Sequence, residues 1–325
     1  MRVRSATITL ALTSLLPLAS SFAADTKLVK AVSDHFELYT TDNEAAATAA
    51  LNHFETVRGY LVGVTGGHDP FTAPVRIVGF KTPGEFSSHQ PAGVSAGKAF
   101  SEANAERVTI ALAGLKPEMY QYGEREYVKL LLDRTNPKMA YWLRLGLTEL
   151  YCTLRLADSG HLVIGIAPTR EFHVTTMPEL DLRTFFALKE GGVTDKGAED
   201  FYAQAPNSAL KGKDSLGSIE ANLTTDYQGI AWQLTHMLMF QDEYRPKFGA
   251  FVGAIAGGEN TDAVVQRIYG KSVSGLTGDL AIYYKMPTHK SGGVNFQLPK
   301  PVTPQIGELS AADSAVILAQ LKSGK

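Results

Sequence analysis

The chain has 325 residues, 44% of them hydrophobic, and its 31 basic and 33 acidic side chains give a formal net charge of −2. That composition belongs to a folded globular protein and argues against intrinsic disorder, while the balanced charge argues against the basic footprint of a nucleic-acid-binding domain. A single cysteine, Cys152, excludes an intramolecular disulfide and is expected to be a buried, inert thiol.

Arg2 and Arg4 precede an apolar run from Ile8 to Ala19 and then Ser21-Phe22-Ala23, the layout of a secretory signal peptide cleaved after Ala23. The run is too short for a comfortable membrane span, and no later stretch supplies the roughly 18 or more apolar residues of a transmembrane segment. The expected product is a periplasmic or secreted protein. His35 to Thr40 alternates apolar and polar side chains, the period of a half-buried strand. Asp42 or Asn43 then caps a helix from about Glu44 to Leu61, whose Ala47, Leu51, Phe54, Val57 and Leu61 form one apolar stripe. Val75 to Phe80 and Arg107 to Leu112 read as further strands, separated by a Gly-, Ser- and Pro-containing stretch from Pro83 to Gly97 that reads as a loop with room for one short helix.

Pro117 suits the first turn of a helix that continues to about Arg134 and is ended by Asn136-Pro137. The next helix, about Ala140 to Leu156, is apolar over so wide an arc that it must be largely buried, and its one central carboxylate is Glu149. Asp158-Ser159-Gly160 turns the chain into a strand from His161 to Ile166. Helices are expected at about Leu180–Leu188, Asp226–Gln241, Tyr244–Ala256, Thr261–Tyr269 and Leu276–Lys285, with a polar loop over Gly191–Glu220. Residues 287–304 read as a Pro- and Gly-containing linker or wrapping tail, followed by a last helix from Ala311 to Leu321.

Two segments carry the chemistry. The first is Arg125-Glu126-Tyr127-Val128-Lys129-Leu130-Leu131-Leu132-Asp133-Arg134. The second is Tyr141-Trp142-Leu143-Arg144-Leu145-Gly146-Leu147-Thr148-Glu149-Leu150-Tyr151. Together they resemble the peptidase-MA-like gluzincins, zincin-fold metallopeptidases that include exported bacterial proteins grouped under domain of unknown function 1570. In that family the first segment looks like His-Glu-Tyr-x-His-Leu-Leu-Leu and the second like Trp-Leu-Asn-Glu-Gly-Leu-Ala-Glu-Phe-Tyr. Two imidazoles one helical turn apart and a downstream Glu hold Zn²⁺, and the Glu between the imidazoles serves as general base. Carried over position by position, the histidines fall on Arg125 and Lys129, the ligand Glu falls on Leu145, and only the general base survives, as Glu126. The resemblance covers about Ser33 to Lys285.

The resemblance implies an α+β fold. A zincin-like domain with a small mixed sheet and the motif helix is expected over residues 25–168, a mostly helical domain over 169–286, and the linker and C-terminal helix over 287–325. It also implies that Arg107, Val108, Thr109 and Ile110 lie on an edge strand able to pair with extended peptide. The donor chemistry does not suit zinc: a guanidinium has no free lone pair, an ammonium must first lose its proton, and Leu145 offers hydrocarbon. No cofactor is therefore expected. Arg125 and Lys129 share a helical face, and Glu126 and Glu149 are expected to compensate them in a salt-bridge cluster that clamps the two helices. His236 and Tyr227 are expected in the core, and His161, His173 and His289 show no ligand spacing. The leading functional expectation is an exported, inactive metallopeptidase-like protein that binds peptide or an envelope protein partner. Two alternatives stand beside it: a hydrolase with non-standard metal or metal-free chemistry at Glu126, and a structural or assembly module.

Overall fold

The computed structural model describes residues 27–323 except 93, 95–96, 105–106, 158–160, 169–181, 188–215 and 287. The expected signal segment, the 158–160 turn, His173 and most of the expected 191–220 loop lie outside these residues. In chain order the first elements are β1 (Val29–Val32), β2 (Phe36–Thr40), α1 (Glu44–Val64), β3 (Val75–Gly79), α2 (Pro83–Ser88), β4 (Ala99–Ala103) and β5 (Val108–Leu112). Next come α3 (Pro117–Thr135), α4 (Tyr141–Tyr151), β6 (Arg155–Leu156), β7 (Leu162–Ile164), α5 (Leu182–Phe186) and α6 (Leu216–Phe240). The chain closes with α7 (Phe248–Ala256), α8 (Thr261–Tyr269), α9 (Val273–Tyr284), β8 (Gly292–Val294), β9 (Gln305–Glu308) and α10 (Ala311–Ser323). The protein is thus a mixed α/β structure. No helix among the described residues is long and apolar enough to cross a membrane.

Six strands form a mixed sheet in the order β4-β5-β3-β2-β1-β9. β2, β3 and β5 run parallel, whereas β4 pairs antiparallel with β5, and β1 pairs antiparallel with both β2 and β9. Alternation along the strands divides their side chains between two cores, as the two-residue period requires. Phe36, Leu38, Val75, Ile77, Val108, Ile110 and Leu112 join the large core with the stripes of α1 and α3. Tyr39, Val78, Phe100 and Ala111 join a smaller core with Phe86 of α2 and with Leu318 and Leu321 of α10. The large core has members from Ala31 to Tyr283.

Four expectations are corrected. The strand at Arg107–Leu112 is not an edge: β5 is bonded to β3 on one side and β4 on the other. Arg107 lies exposed just before it, Val108 and Ile110 are buried in the large core, and Thr109 is half-buried. The covering strand Ala99-Phe100-Ser101-Glu102-Ala103 has one large apolar side chain and little strand signal of its own; a tight connection folds it back, with Asn104 and Arg107 bonded backbone to backbone at 3.0 Å and the Asn104 side chain accepting from the Arg107 N–H at 2.8 Å. Residues 287–304 are more than a linker, because Gly292–Val294 pairs with β7, and Gln305–Glu308 beyond them covers the outer edge of β1. Their Gly- and Gln-containing sequences pair because a neighbouring strand presents unpaired backbone groups, a cause that local propensity does not show. The buried helix expected to reach Leu156 ends at Tyr151, since Arg155 and Leu156 pair with Val163 and Leu162, and α6 begins at Leu216 within the expected loop.

Candidate functional site

The site grows from α3. Pro117 occupies its first turn, Glu118 sits at the positive N-terminal end, Arg134 at the negative C-terminal end, and Asn136 closes it before Pro137. Gly123 lets the helix press on the sheet: a Cβ there would lie 2.9 Å from Phe54 of α1 and 3.0 Å from Leu112 of β5. Gly146 plays the same part for α4, where a Cβ would meet the Thr235 hydroxyl at 2.0 Å and the Ala231 carbonyl at 2.5 Å. These close approaches bring Arg125 of α3 against Glu149 of α4.

Arg125 Nε donates to Glu149 Oε1 at 2.5 Å, and Arg125 Nη1 lies 3.9 Å from Glu126 Oε1. Glu149 is wholly buried and also accepts weakly from the Cys152 thiol, 3.9 Å from Oε2, while that thiol lies 3.4 Å from the Glu149 carbonyl. Burial alone would weaken the Arg125 charge, but the Glu149 and Glu126 carboxylates outweigh it and raise its pKa above the usual guanidinium value. The structure therefore brings Arg125, Glu126 and Glu149 together. Lys129 is exposed on α3, and Leu145 is half-buried against the large core.

Glu126 turns the other way, toward the sheet, and its Oε2 accepts from the Ser101 hydroxyl of β4 at 2.6 Å. Two positions earlier, Glu124 is fully buried; its Oε1 lies 2.6 Å from His53 Nε2 of α1 and accepts from Arg155 Nη1 at 3.4 Å. Three consecutive charged residues thus reach four elements: α1 and β6 through Glu124, α4 through Arg125, and β4 through Glu126. Sequence reasoning missed Ser101, His53, Glu124 and Arg155, and no local pattern marks them, because the His53–Glu124 contact spans 71 positions. His236 lies apart, buried, with Nε2 donating to the Gly165 carbonyl at 3.0 Å and Nδ1 accepting from the Tyr283 hydroxyl at 2.5 Å. Burial pushes its pKa down to about 4, which suits a neutral structural imidazole. Tyr227 is buried with its ring stacked on Phe185, and His289 packs edge-on against Trp232 and Tyr283, whereas His161 is exposed.

Zinc does not fit the α3–α4 crossing. The Arg125 nitrogens carry only donors, already directed at carboxylates, and Leu145 has no ligating atom. Among the described residues no group of three or more His, Cys, Asp or Glu side chains is placed to hold a metal ion. What the crossing can do is mechanical and electrostatic: it ties two buried helices through one charge-assisted hydrogen bond and holds a carboxylate beside β4. Fold and site together define a mixed α/β protein with a buried ionic centre where two helices cross. No family model matches the chain, and no curated protein matches it.

Proposed function

We propose that this chain is an exported, zincin-like protein that has lost metal-dependent hydrolysis and binds an extended segment of a peptide or envelope protein partner along β4. The observation that carries the binding role is the place of β4 in the sheet. It is the outermost strand, antiparallel to its neighbour and tied to the motif helix through Ser101 and Glu126. Backbone bonds of Ala113 to Lys98 and of Asn104 to Arg107 set the phase of the β4–β5 ladder. By the alternation of an antiparallel pair, Ala99, Ser101 and Ala103 direct their N–H and C=O groups away from β5, where an added strand makes main-chain hydrogen bonds. The Arg125–Glu149 pair supports the non-catalytic half of the reading, because a guanidinium stands where a metal would need a lone pair.

The test uses the mature chain. Elemental analysis should find no stoichiometric zinc, and the combined variant Arg125→His, Lys129→His, Leu145→Glu should acquire it. Fluorescence anisotropy with a set of labelled ten-residue peptides should detect binding that Ala103→Pro abolishes, since proline removes one outward N–H while β4 stays paired to β5. Zinc in the unmodified protein together with peptide cleavage would overturn the non-catalytic reading. Binding unaffected by Ala103→Pro would remove β4 as the docking edge.

A further inference from the structure

A second site lies on the other side of α3. Below the starts of β2 and β3 a cleft of about 180 Å³ is bounded by His35, by Arg58 of α1, by Asp69 and Phe71 of the following loop, and by Tyr127 of α3, with Asp34 at its exposed rim. Its walls are built rather than loose. Arg58 Nε donates to Asp69 Oδ2 at 2.7 Å with Nη2 at 2.5 Å, and Asp69 Oδ1 accepts from the Phe71 N–H at 2.9 Å. The His35 N–H donates to Glu55 Oε1 at 3.2 Å and its Nδ1 lies 2.9 Å from Glu55 Oε2. Against these satisfied groups one atom stands out: the hydroxyl of Tyr127, a residue with no solvent exposure, has no hydrogen-bond partner among the described residues.

A buried hydroxyl without a partner costs roughly 1–3 kcal/mol, which favours an occupant that bonds to it. The character of that occupant follows from the surroundings. Asp34, Glu55 and Asp69 place three carboxylates around the cleft, against the guanidinium of Arg58, that of Arg134, which lies over the Phe71 ring at 5.0 Å, and the His35 imidazole, which adds a positive charge only when protonated. An anion would have to displace Asp69 from Arg58 and then sit beside the remaining carboxylates. A cation meets a surplus of negative charge, a phenol oxygen with lone pairs to accept its N–H, and the rings of Phe71 and Tyr127, whose centroids are 5.6 Å apart. The volume, below that of a drug-sized pocket, admits only a short stem.

We propose that this cleft binds a primary ammonium group on a short apolar stem, carried either by a free small amine or by the N-terminus of a peptide. Burial and the Asp69 and Glu55 carboxylates raise the Tyr127 pKa, outweighing Arg58, so the phenol keeps its proton and stays neutral beside the bound cation.

The test is saturation-transfer NMR and thermal unfolding of the full chain with n-propylammonium chloride, glycine methyl ester hydrochloride, sodium propionate and 1-propanol, at matched ionic strength. Propylammonium should bind saturably and raise the unfolding temperature, and propionate and propanol should not. Binding of propylammonium alone assigns the site to free amines, and binding of the glycine ester as well extends it to chain termini; both support the proposal. Tyr127→Phe removes a hydroxyl that no described group holds, so the variant should fold, and it should bind propylammonium about tenfold more weakly, the equivalent of one hydrogen bond. Asp34→Asn, a surface change, should weaken binding in the same direction. No saturable amine binding would leave the cleft to water, and equal binding of propanol or full binding by Tyr127→Phe would show a site that reads neither charge nor the phenol; each result overturns the proposal.

Discussion

At the scale of single residues, the centre of the molecule is the contact between Arg125 and Glu149. The carboxylate has no solvent exposure and the guanidinium little, so each depends on the other for the solvation that folding removed. Such a pair adds little net stability compared with an apolar pair of the same shape, but deleting one member leaves a buried charge uncompensated. Glu149→Ala is therefore expected to cost about 3–5 kcal/mol in urea unfolding. A cost near zero would show that Arg125 swings to water and that no clamp exists. Lys129, exposed on the same helix, provides the control: Lys129→Ala should stay within about 0.5 kcal/mol. Arg125 and Lys129 thus differ in their setting, since Arg125 is largely withdrawn from solvent against a buried carboxylate and Lys129 is exposed.

At the scale of elements, the determining contact is the crossing of α4 with α6. Gly146 sits so close to Thr235 and Ala231 that an added methyl meets one oxygen at 2.0 Å and a backbone carbonyl at 2.5 Å. The backbone cannot move aside as a flexible side chain does, so Gly146→Ala should cost about 3 kcal/mol, the upper part of the range for overpacked cores. Gly253, in the middle of α7 with open space around it, predicts the opposite sign. Gly253→Ala should raise stability by up to about 1 kcal/mol through helix propensity alone. Chemical denaturation of the two variants side by side separates close packing from propensity, and equal effects would refute the crossing as described.

At the scale of the whole molecule, the C-terminal segment closes what the N-terminal segment begins. β9 pairs with β1, the backbone N–H of Leu28 donates to the Ser314 hydroxyl at 3.0 Å, and Leu318 and Leu321 complete the smaller core against Tyr39, Val78 and Phe80. A tail that merely wrapped the surface would tolerate change, whereas this one covers a sheet face and a sheet edge. Leu321→Ala should accordingly lower stability by about 2–5 kcal/mol, as a buried leucine does, and a shift below about 0.5 kcal/mol in the unfolding free energy would contradict the closure.

Much of this architecture was legible in the residues themselves. The alternation at 36–40, the stripe of α1, Pro117 and Asn136-Pro137 around α3, and the apolar breadth of α4 all express local rules: side-chain period, caps and breakers act within a few positions of where they are written. The same locality made Arg125, Glu126 and Lys129 readable as a set, because residues on one helix keep their spacing whatever surrounds them. The partners of those residues were not legible. Ser101 meeting Glu126, His53 and Arg155 meeting Glu124, and β9 covering β1 all join segments far apart in the chain, and β4, which covers the nearby β5, carries little strand signal of its own. Local propensity is weak there, and the free energy comes from satisfying another element's backbone or charge. Only the assembled tertiary structure could decide those pairings, since a hydrogen-bonding group left unpaired in the interior is a property of the packed molecule and not of any stretch of chain.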